Sequence, residues 1–484
     1  MVPTIVIVGG GFSGCLTAVN LARLSHIPLR VVLVNSRQYP LGRGIAYGTR
    51  HAEHLLNVAA RNMSALADHP NHFVDWLRTR YEYQQVPEAS LRETFVPRRV
   101  YGDYLRGLLQ AYAVSLTRHH EVQIEIVESE VVDIEDVSER RVQVQLSDGE
   151  KLVAESVVLA LGNQPPAEFG GEQAFRHPHY CENPWIDWTD RLPDKSETVV
   201  LLGTGLTTVD ALLTLLSQGW QGTIYAVSRH GLLPQSHFRG IEYPEFPPSD
   251  PSLLRLSELV LLIEEHCQRL RRMGANPAMV VDKLRPYTQK IWKQWSLEEK
   301  KQFIEEYAAR WNVTRHRIAP GVHQQLKSAQ EEGRLKVVQG TVTGLETAGN
   351  RIRVTVVGEA DARVVLEAGL VVNGTGPRSR LSQTANPLLQ RLLGQQRLTL
   401  DPLDMGIAVD DGFQVIKGQE TVGAPWYAIG PLLKGTLWET IAVPELRGQA
   451  LSVAQNILEQ FGGHRPRLVP WPSSVEYELL EYCI

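Results

Sequence analysis

Residues 4–14 read TIVIVGGGFSG, an apolar run of mostly β-branched residues that leads directly into a cluster of glycines. Such a run is typical of a strand buried on both faces of a parallel sheet, and the apolar spacing from residue 12 to 24 predicts a helix. Strand, tight turn and helix form the context in which a Gly-x-Gly-x-x-Gly motif binds a dinucleotide. We therefore predict that Gly9, Gly11 and Gly14 lie at a pyrophosphate.

A second motif of this kind follows nearly two hundred residues later. Residues 198–210 read TVVLLGTGLTTVD, again an apolar run that ends in Gly203 and Gly205, with Thr207 next and Thr208 in the place of a third glycine. The repeated context predicts a second dinucleotide site. The sequence therefore indicates two nucleotides on one chain.

The residues that close the second strand of each module bear on which nucleotide binds where. An acid that binds a ribose hydroxyl is expected about 20 residues after the motif, and this chain has Asn35 there, whose amide can still make that hydrogen bond. In the second module the strand closes on Ser228 and Arg229. An arginine there suits a 2′-phosphate, which favours NADPH over NADH, although a solvated charge at a strand end stays open as an alternative.

Composition excludes several classes of protein. The 484 residues carry a formal net charge of −5, which gives no reason to expect nucleic acid or an anionic membrane as a partner. No apolar stretch is long enough to span a membrane, and the first strand begins too early for a signal peptide, so we expect a cytoplasmic protein. The four cysteines, Cys15, Cys181, Cys267 and Cys483, form no Cys-x-x-Cys pair, so neither a metal site nor a dithiol relay is expected.

The order of apolar patterns along the chain predicts an α/β fold with two Rossmann-like dinucleotide-binding domains and a helical insertion. The first domain is predicted to be discontinuous, at residues 1–170 and 376–484. The second takes residues 195–240 and 320–375. Residues 241–319 are almost wholly helical in pattern and form the insertion, which we expect to contribute to a substrate pocket.

Several longer motifs resemble one group of flavoproteins. The glycine motifs together with Asn373-Gly374-Thr375-Gly376 are similar to those of the class B flavin monooxygenases, including N-hydroxylating enzymes. More closely, the chain resembles the FAD/NAD(P)-binding family that contains aspartate N-monooxygenases and an FAD-dependent urate hydroxylase. The segments that carry this resemblance span nearly the whole chain and lie at residues 42–47, 54–58, 61–64, 95–102, 311–317 and 438–445.

The resemblance implies that FAD and NADPH are the cofactors and that the flavin carries the chemistry, through a C4a-(hydro)peroxyflavin that hydroxylates the substrate. The resemblance assigns no catalytic side chain. The residues expected to bind FAD are Gly9, Gly11, Gly14, Asn35, Asn57, Met63, Gly430 and Pro431. Those expected to bind NADPH are Gly203, Gly205, Thr207, Thr208, Ser228 and Arg229.

Arginines are the best guide to the substrate. Arg61, Arg315, Arg317 and Arg447 come from segments that the family would bring around the flavin, and a guanidinium suits a carboxylate or an anionic heterocycle. We expect a small anionic substrate that contains nitrogen, such as an amino acid, together with dioxygen. Phosphate binding or structural ion pairs stay open as roles for each arginine, and a homo-oligomer stays open as well.

Other activities share these motifs. An NADPH oxidase or quinone reductase would have both nucleotide sites without a closed substrate pocket, and a non-catalytic FAD-binding protein would keep only part of them. A disulfide reductase would need redox cysteines near the flavin, which the sequence does not pair.

Overall fold

The computed structural model describes residues 2–113, 122–169, 176–238, 243–247, 249–418 and 423–462. Cys483 and the domain limits predicted at residues 1, 170, 240, 241 and 484 lie outside these ranges. The chain divides into two compact units, which are described in turn. The first contains Met1–Arg50, Val58–Gln164 and Ser379–Ile484, and the second contains His51–Asn57 and Pro165–Arg378.

Strands and helices alternate in the order that the apolar patterns predict. The strands are β1 Thr4–Val8, β2 Leu29–Asn35, β3 Val122–Glu128, β4 Val131–Ser138, β5 Arg141–Leu146, β6 Lys151–Ala154, β7 Ser156–Leu159, β8 Tyr180–Cys181, β9 Val199–Leu202, β10 Ile224–Ser228, β11 Leu335–Gln339, β12 Thr341–Ala348, β13 Arg351–Val357, β14 Arg363–Ala368, β15 Leu370–Asn373 and β16 Trp426–Ala428. The α-helices are α1 Phe12–Leu24, α2 Gly44–Tyr47, α3 His72–Thr79, α4 Glu88–Arg92, α5 Arg98–Ala113, α6 Leu206–Ser217, α7 Leu256–Arg272, α8 Ala278–Leu284, α9 Thr288–Gln294, α10 Leu297–Gln302, α11 Ala308–Arg315, α12 Pro320–Glu331, α13 Pro387–Gly394, α14 Lys434–Leu437 and α15 Val443–Gln460.

The first unit is built on a parallel sheet of strand order β16-β7-β1-β2-β3. Strand β1 is central and fully buried because its β-branched residues pack on both faces of the sheet. Ile5 and Ile7 face Val31 and Leu33 of β2 in register. Strands β4, β5 and β6 form a separate antiparallel sheet, inserted before β7.

The second unit repeats this arrangement. Its parallel sheet has the order β11-β10-β9-β15-β8, and the antiparallel sheet β12-β13-β14 is inserted before β15 just as β4-β5-β6 precedes β7. Parallel sheets place the carboxyl ends of their strands at one edge, where open α/β folds bind ligands. Each unit therefore presents its glycine motif, which follows β1 or β9, at such an edge.

These observations confirm the predicted fold class, with two differences in detail. The Pro, His and Trp residues of segment 165–194 predict a linker, but the segment contains the short strand β8, which pairs with β15 through Tyr180 and Cys181. The lack of long apolar periodicity in segment 41–107 predicts loops and short helices, but its last ten residues belong to the 16-residue helix α5. The helices α7 to α11, with a π-helical turn at Phe303–Tyr307, lie between β10 and β11 in the chain, where the insertion is predicted.

Candidate nucleotide-binding sites

Each of the three glycines in the first motif is required for a different steric reason. Gly9 has a φ of +114°, and a Cβ there would lie 2.3 Å from the carbonyl oxygen of Ala160. A Cβ on Gly14 would lie 1.9 Å from the carbonyl oxygen of Gly9, so helix α1 and the turn can pack this closely only without a side chain. A Cβ on Gly11 would meet only the Cα of Gly44, at 3.8 Å. Gly11 therefore leaves space that the protein itself does not fill, as close approach of a pyrophosphate requires.

The amino end of α1 has the features of an anion site. Gly11 caps the helix without a side-chain hydrogen bond, and the first turn contains no acidic residue. The first intrahelical hydrogen bond runs from Cys15 N to Gly11 O, so the preceding N–H groups point away from the helix. Together with the helix dipole, these donors favour a phosphate.

Asn35 ends β2 beside the first motif and is buried. Its Nδ2 donates to the carbonyl oxygens of Ser36, at 3.0 Å, and Tyr39, at 2.9 Å. A Cβ on Gly10 would lie 2.5 Å from Oδ1 of Asn35, so the amide lies directly against the glycine turn. Since both amide hydrogens are used in shaping the loop, Oδ1 is the atom that could accept a hydrogen bond from a ribose hydroxyl.

Two of the predicted FAD contacts come from the segment after α2. Met63 is 3% exposed and belongs to the first unit. Asn57 belongs to the second unit, where its carbonyl oxygen lies 2.6 Å from Nε2 of His237.

Gly430 and Pro431 follow β16, and a closed ring of buried hydrogen bonds holds the first of them. The Gly430 N–H donates to Oε1 of Gln449, at 3.0 Å, and the Thr440 hydroxyl donates to the Gly430 carbonyl, at 2.8 Å. Nε2 of Gln449 donates to Oγ1 of Thr440, also at 2.8 Å. Gly430 has a φ of +83°, and a Cβ there would lie 3.2 Å from Oγ of Ser13 on α1. This arrangement fixes the backbone of Gly430 close to the start of α1.

In the second motif, different residues allow the turn and the following helix to pack closely. Gly203 has a φ of +108°, and a Cβ there would lie 2.5 Å from the carbonyl oxygen of Gly374. Thr208, at the third glycine position, is buried, and a Cβ on Gly374 would lie 2.5 Å from its Oγ1. Gly374 therefore provides the space that the glycine missing at position 208 would have given.

The other residues of the second motif leave the amino end of α6 open. A Cβ on Gly205 would meet nothing within 4 Å, Gly205 caps α6 without a side-chain hydrogen bond, and the first turn has no acid. Thr207 lies in this first turn and is half-buried. The second unit thus repeats the features that make the first motif suitable for a pyrophosphate.

The predicted phosphate contacts of the second module lie at the carboxyl end of β10. Oγ of Ser228 is 2.9 Å from Oγ1 of Thr204 and accepts from the Gly231 N–H at 3.1 Å, so this hydroxyl orders the turn that follows the strand. Arg229 is exposed, and it has no ion-pair partner within the part of the chain that the structure describes. Its guanidinium can therefore reach a ligand without breaking an internal contact.

The four arginines predicted to bind substrate are in different environments. Arg317 is 5% exposed, and its Nη1 and Nη2 both lie 2.9 Å from the carboxylate oxygens of Asp282. Nε donates to the Thr314 carbonyl, Nη2 donates to the Ala278 carbonyl, and the guanidinium lies 4.5 Å from the Phe238 ring centroid. These contacts join α11 to α8 and support a structural role for Arg317.

The other three arginines are more accessible. Arg61 pairs with Glu93, and both side chains are more than a third exposed. Arg447, on the first turns of α15, donates from Nη1 to the Ser64 carbonyl at 3.0 Å. Arg315 is half-buried at the carboxyl end of α11. Arg61 and Arg447 belong to the first unit, whereas Arg315 and Arg317 belong to the second.

Sequence reasoning missed the residues that hold these motifs in shape. The sequence did offer a signal for Gly374, because this glycine lies in the Asn373-Gly374-Thr375-Gly376 motif. Gln449 and Thr440 had none that could be recognised, since the sequence does not show that a helix and a loop share one buried hydrogen-bond ring.

The described cysteines are not suited to redox chemistry. Cys15, Cys181 and Cys267 are free thiols, and burial raises the pKa of Cys15 and of Cys181 to about 12. Such thiols stay protonated near neutral pH, and thiolates are the reactive form. Across the described ranges, no group of three His, Cys, Asp or Glu side chains could hold a metal ion, and no helix is both long and apolar enough to cross a membrane.

Part of this chain is similar to a known family, and nearly all of it is similar in fold to solved structures. Residues 6–164 match the model of a family described as FAD-NAD(P)-binding. No curated protein sequence matches the chain.

Solved structures share the fold over nearly the whole chain. The ornithine N-hydroxylase of Kutzneria sp. 744, solved with reduced FAD, NADP+ and L-ornithine, is 17% identical, with a TM-score of 0.62, and the match covers 96% of this chain and 100% of that one. L-lysine 6-monooxygenase from Pseudomonas syringae is 18% identical, with a TM-score of 0.61 and the same coverage. The bacillithiol disulfide reductase of Bacillus cereus is 13% identical, with a TM-score of 0.52, covering 95% and 100%. The chain therefore has the two-domain fold on which flavin N-hydroxylases and disulfide reductases are built.

Proposed function

We propose that this protein is an FAD- and NADPH-dependent monooxygenase that hydroxylates a small anionic, nitrogen-containing substrate such as an amino acid. The observation that carries the proposal is the pair of open glycine motifs, one in each unit, combined with buried cysteines that stay protonated. A flavin monooxygenase needs one site for NADPH, the hydride donor, and one for FAD, the hydride acceptor. The described thiols offer no dithiol relay, which disfavours the disulfide reductases that share the fold.

FAD is assigned to the first unit. Gly11 admits the pyrophosphate, the uncapped N–H groups of α1 bind its oxygens, and Oδ1 of Asn35 accepts from a ribose hydroxyl. Met63, Gly430 and Pro431 belong to the same unit and are proposed to border the flavin. Asn57 remains a predicted contact.

NADPH is assigned to the second unit. Gly203 and Gly205 admit its pyrophosphate, and Thr207 and Thr208 begin the helix that faces it. The exposed guanidinium of Arg229 is proposed to bind the 2′-phosphate, because Arg binds phosphate through paired, charge-assisted hydrogen bonds. Ser228 holds the turn from which Arg229 projects.

When bound, reduced FAD supplies the activation of dioxygen and the transfer of one oxygen atom. The chain's own residues would bind and orient the two nucleotides. A buried acid or base is not required for this role.

The substrate proposal is based on arginines. Arg61, Arg315 and Arg447 remain the candidates for binding a carboxylate, because each is at least partly accessible. Arg317 is the weakest candidate, since Asp282 already occupies its fork. We further propose that the chain belongs with the aspartate N-monooxygenase and urate hydroxylase type of flavoprotein and acts in the cytoplasm.

The test is NADPH consumption by the purified, FAD-loaded protein, with peroxide quantified, across small acids that include aspartate, ornithine, lysine and urate. We expect one class of acid to stimulate consumption with little peroxide. NADPH consumption that no acid stimulates and that yields stoichiometric peroxide would instead identify an NADPH oxidase. A colourless protein that takes up no FAD would identify neither enzyme and would refute the proposal.

A further inference from the structure

One lysine in the first unit has an ammonium group that the described residues neither bond nor enclose. Lys434 begins α14 directly after the helical turn Gly430–Leu433, so the two form one helical segment. The Lys434 side chain is half-buried, and its Nζ makes no hydrogen bond or ion pair with any residue that the structure describes. Nor is Nζ one of the unbonded polar atoms that the described chain encloses completely, so a ligand can reach it.

The face on which Lys434 lies connects it with the first glycine motif. In this helical segment Pro431, Lys434 and Thr436 keep accessible surface, and the other five residues are buried. Side chains three positions apart share one face of a helical turn, so Lys434 lies beside Pro431. Gly430 directly precedes Pro431, and a Cβ on Gly430 would lie 3.2 Å from Oγ of Ser13, in the first turn of α1. The backbone of Lys434 is therefore about one helical turn, roughly 6 Å, from a residue that packs against the start of α1.

A strained turn places an indole beside the ammonium. The Trp438 N–H donates to the Lys434 carbonyl at 2.8 Å, and the Glu439 N–H donates to the Leu437 carbonyl at 2.7 Å. The second bond closes a tight turn in which Trp438 has a φ of +60°, a conformation that a bulky side chain adopts only under strain. In this turn the ring centroid of Trp438 lies 5.5 Å from Nζ of Lys434, where the ring stabilises a positive charge. Backbone strain of this kind is concentrated at functional sites.

The charge on Lys434 is costly while no anion is bound to it. Burial lowers the pKa of Lys434, and the charge of the buried Glu439 only opposes this effect. A crowded cation that has no hydrogen-bond acceptor is stabilised when an anionic ligand supplies one.

Another lysine of the same unit shows what a purely structural ammonium looks like. Lys417 also lies over an indole, with its Nζ 4.8 Å from the ring centroid of Trp426. This Nζ donates to Oδ2 of Asp136 at 2.5 Å and to the Ala424 carbonyl at 2.8 Å. The two lysines thus differ in whether the protein itself supplies the acceptors.

We infer that the ammonium of Lys434 binds an anionic group of FAD. The inference rests on the proposed function, in which the first unit binds FAD and Pro431 borders the flavin. Two parts of the cofactor offer negative charge, the pyrophosphate and the flavin ring once it is reduced. An ammonium binds either through the same charge-assisted contacts, so experiment has to separate them.

The test compares Lys434→Met, Lys434→Arg and Lys417→Met in the full-length protein, with and without FAD. Lys434→Met should raise the Kd for FAD about 10- to 100-fold, and Lys434→Arg, which keeps the charge, should raise it less. The melting temperature of FAD-free Lys434→Met should not fall, because a thioether can still pack on the indole and no ion pair is lost. Lys417→Met should do the reverse, lowering that melting temperature by about 2 °C or more with a Kd for FAD within about 2-fold of the wild type.

The midpoint potential of the bound flavin separates the two parts of the cofactor. If Lys434 binds the pyrophosphate, Lys434→Met weakens the binding of oxidised and reduced FAD equally and leaves the potential unchanged. If Lys434 faces the flavin ring, reduced FAD is weakened more, and each tenfold difference lowers the potential by about 30 mV.

Unchanged Kd values for both redox forms in Lys434→Met would overturn the inference, whether or not the binding of an acid such as aspartate weakens. A loss of FAD-free stability in Lys434→Met that matches the loss in Lys417→Met would also overturn it, because the ammonium would then have an internal partner. A wild-type protein that binds no FAD would contradict the proposed function itself, an outcome distinct from these.

Discussion

The assignment of one nucleotide to each glycine motif can be tested by adding a single methyl group at equivalent positions. Gly11 and Gly205 have φ and ψ angles of −80° and −163°, and of −83° and −167°, which alanine adopts without strain. A Cβ at Gly11 meets only one atom, at 3.8 Å, and a Cβ at Gly205 meets none within 4 Å. Gly11→Ala and Gly205→Ala should therefore change the free energy of unfolding of the nucleotide-free protein by no more than about 1 kcal/mol.

The same methyl groups should weaken nucleotide binding, because each would occupy the space that the pyrophosphate enters. Overpacking of a close contact costs about 1–3 kcal/mol, which corresponds to about a 5- to 150-fold rise in Kd. Titration of the stripped protein with FAD, and of the FAD-loaded protein with NADPH under anaerobic conditions, gives the two constants separately. Gly11→Ala should raise the Kd for FAD alone, and Gly205→Ala should raise the Kd for NADPH alone.

Gly14→Ala is the matched control for a glycine that is needed by the fold. Its Cβ would lie 1.9 Å from the carbonyl oxygen of Gly9, so this variant should lose stability even without nucleotide. The reasoning is refuted if Gly11→Ala and Gly205→Ala both affect the same nucleotide, or if Gly11→Ala destabilises the nucleotide-free protein as much as Gly14→Ala does.

Three further predictions concern charged or titratable side chains. Arg229→Ala should raise the KM for NADPH about 10-fold or more and leave the KM for NADH nearly unchanged, as steady-state kinetics with both nucleotides would show. Arg317→Met should reduce the free energy of unfolding by about 1–3 kcal/mol in urea titrations, because the paired hydrogen bonds to Asp282 and the bonds to two backbone carbonyls are lost. The loss should be smaller than for a fully buried ion pair, because the Asp282 side chain is partly exposed to water. Burial lowers the pKa of His72 to about 3 in the folded protein, below the ~6.5 of an unfolded chain, so the free energy of unfolding should fall by about 1.4 kcal/mol per pH unit as the pH drops below about 6. Nδ1 of His72 lies 2.6 Å from the buried hydroxyl of Tyr104, and His72→Asn, which keeps a hydrogen-bonding amide beside that hydroxyl, should remove the slope.

Each of these has an outcome that would count against it. An equal loss of affinity for NADPH and NADH in Arg229→Ala would remove the 2′-phosphate as its ligand. If Arg317→Met unfolds with the free energy of the wild type but has a raised KM for the substrate, Arg317 binds substrate and has no structural role. An unchanged pH dependence in His72→Asn would show that other groups cause the acid loss of stability.

The features that sequence predicted well are local. A β-branched run followed by glycines at fixed spacing determines strand, turn and helix within about 20 residues, and this was enough to locate β1, α1, β9 and α6. The strand β8 could not be found in this way, because two residues carry no periodicity and its pairing with β15 joins positions nearly two hundred residues apart.

The features that sequence did not predict depend on contacts between distant segments. Thr208 breaks the glycine pattern, and the space it needs comes from Gly374, 166 residues later. Arg317 looks like an anion-binding residue until Asp282, 35 residues earlier, is seen to hold it.

The most direct test of the proposed activity follows oxygen from dioxygen into product. The FAD-loaded protein is supplied with NADPH, isotopically labelled dioxygen and the acid that most stimulates NADPH consumption, and the product is analysed by mass spectrometry. The account predicts a hydroxylated product that carries one labelled oxygen atom per molecule. Labelled peroxide with no labelled organic product would contradict it.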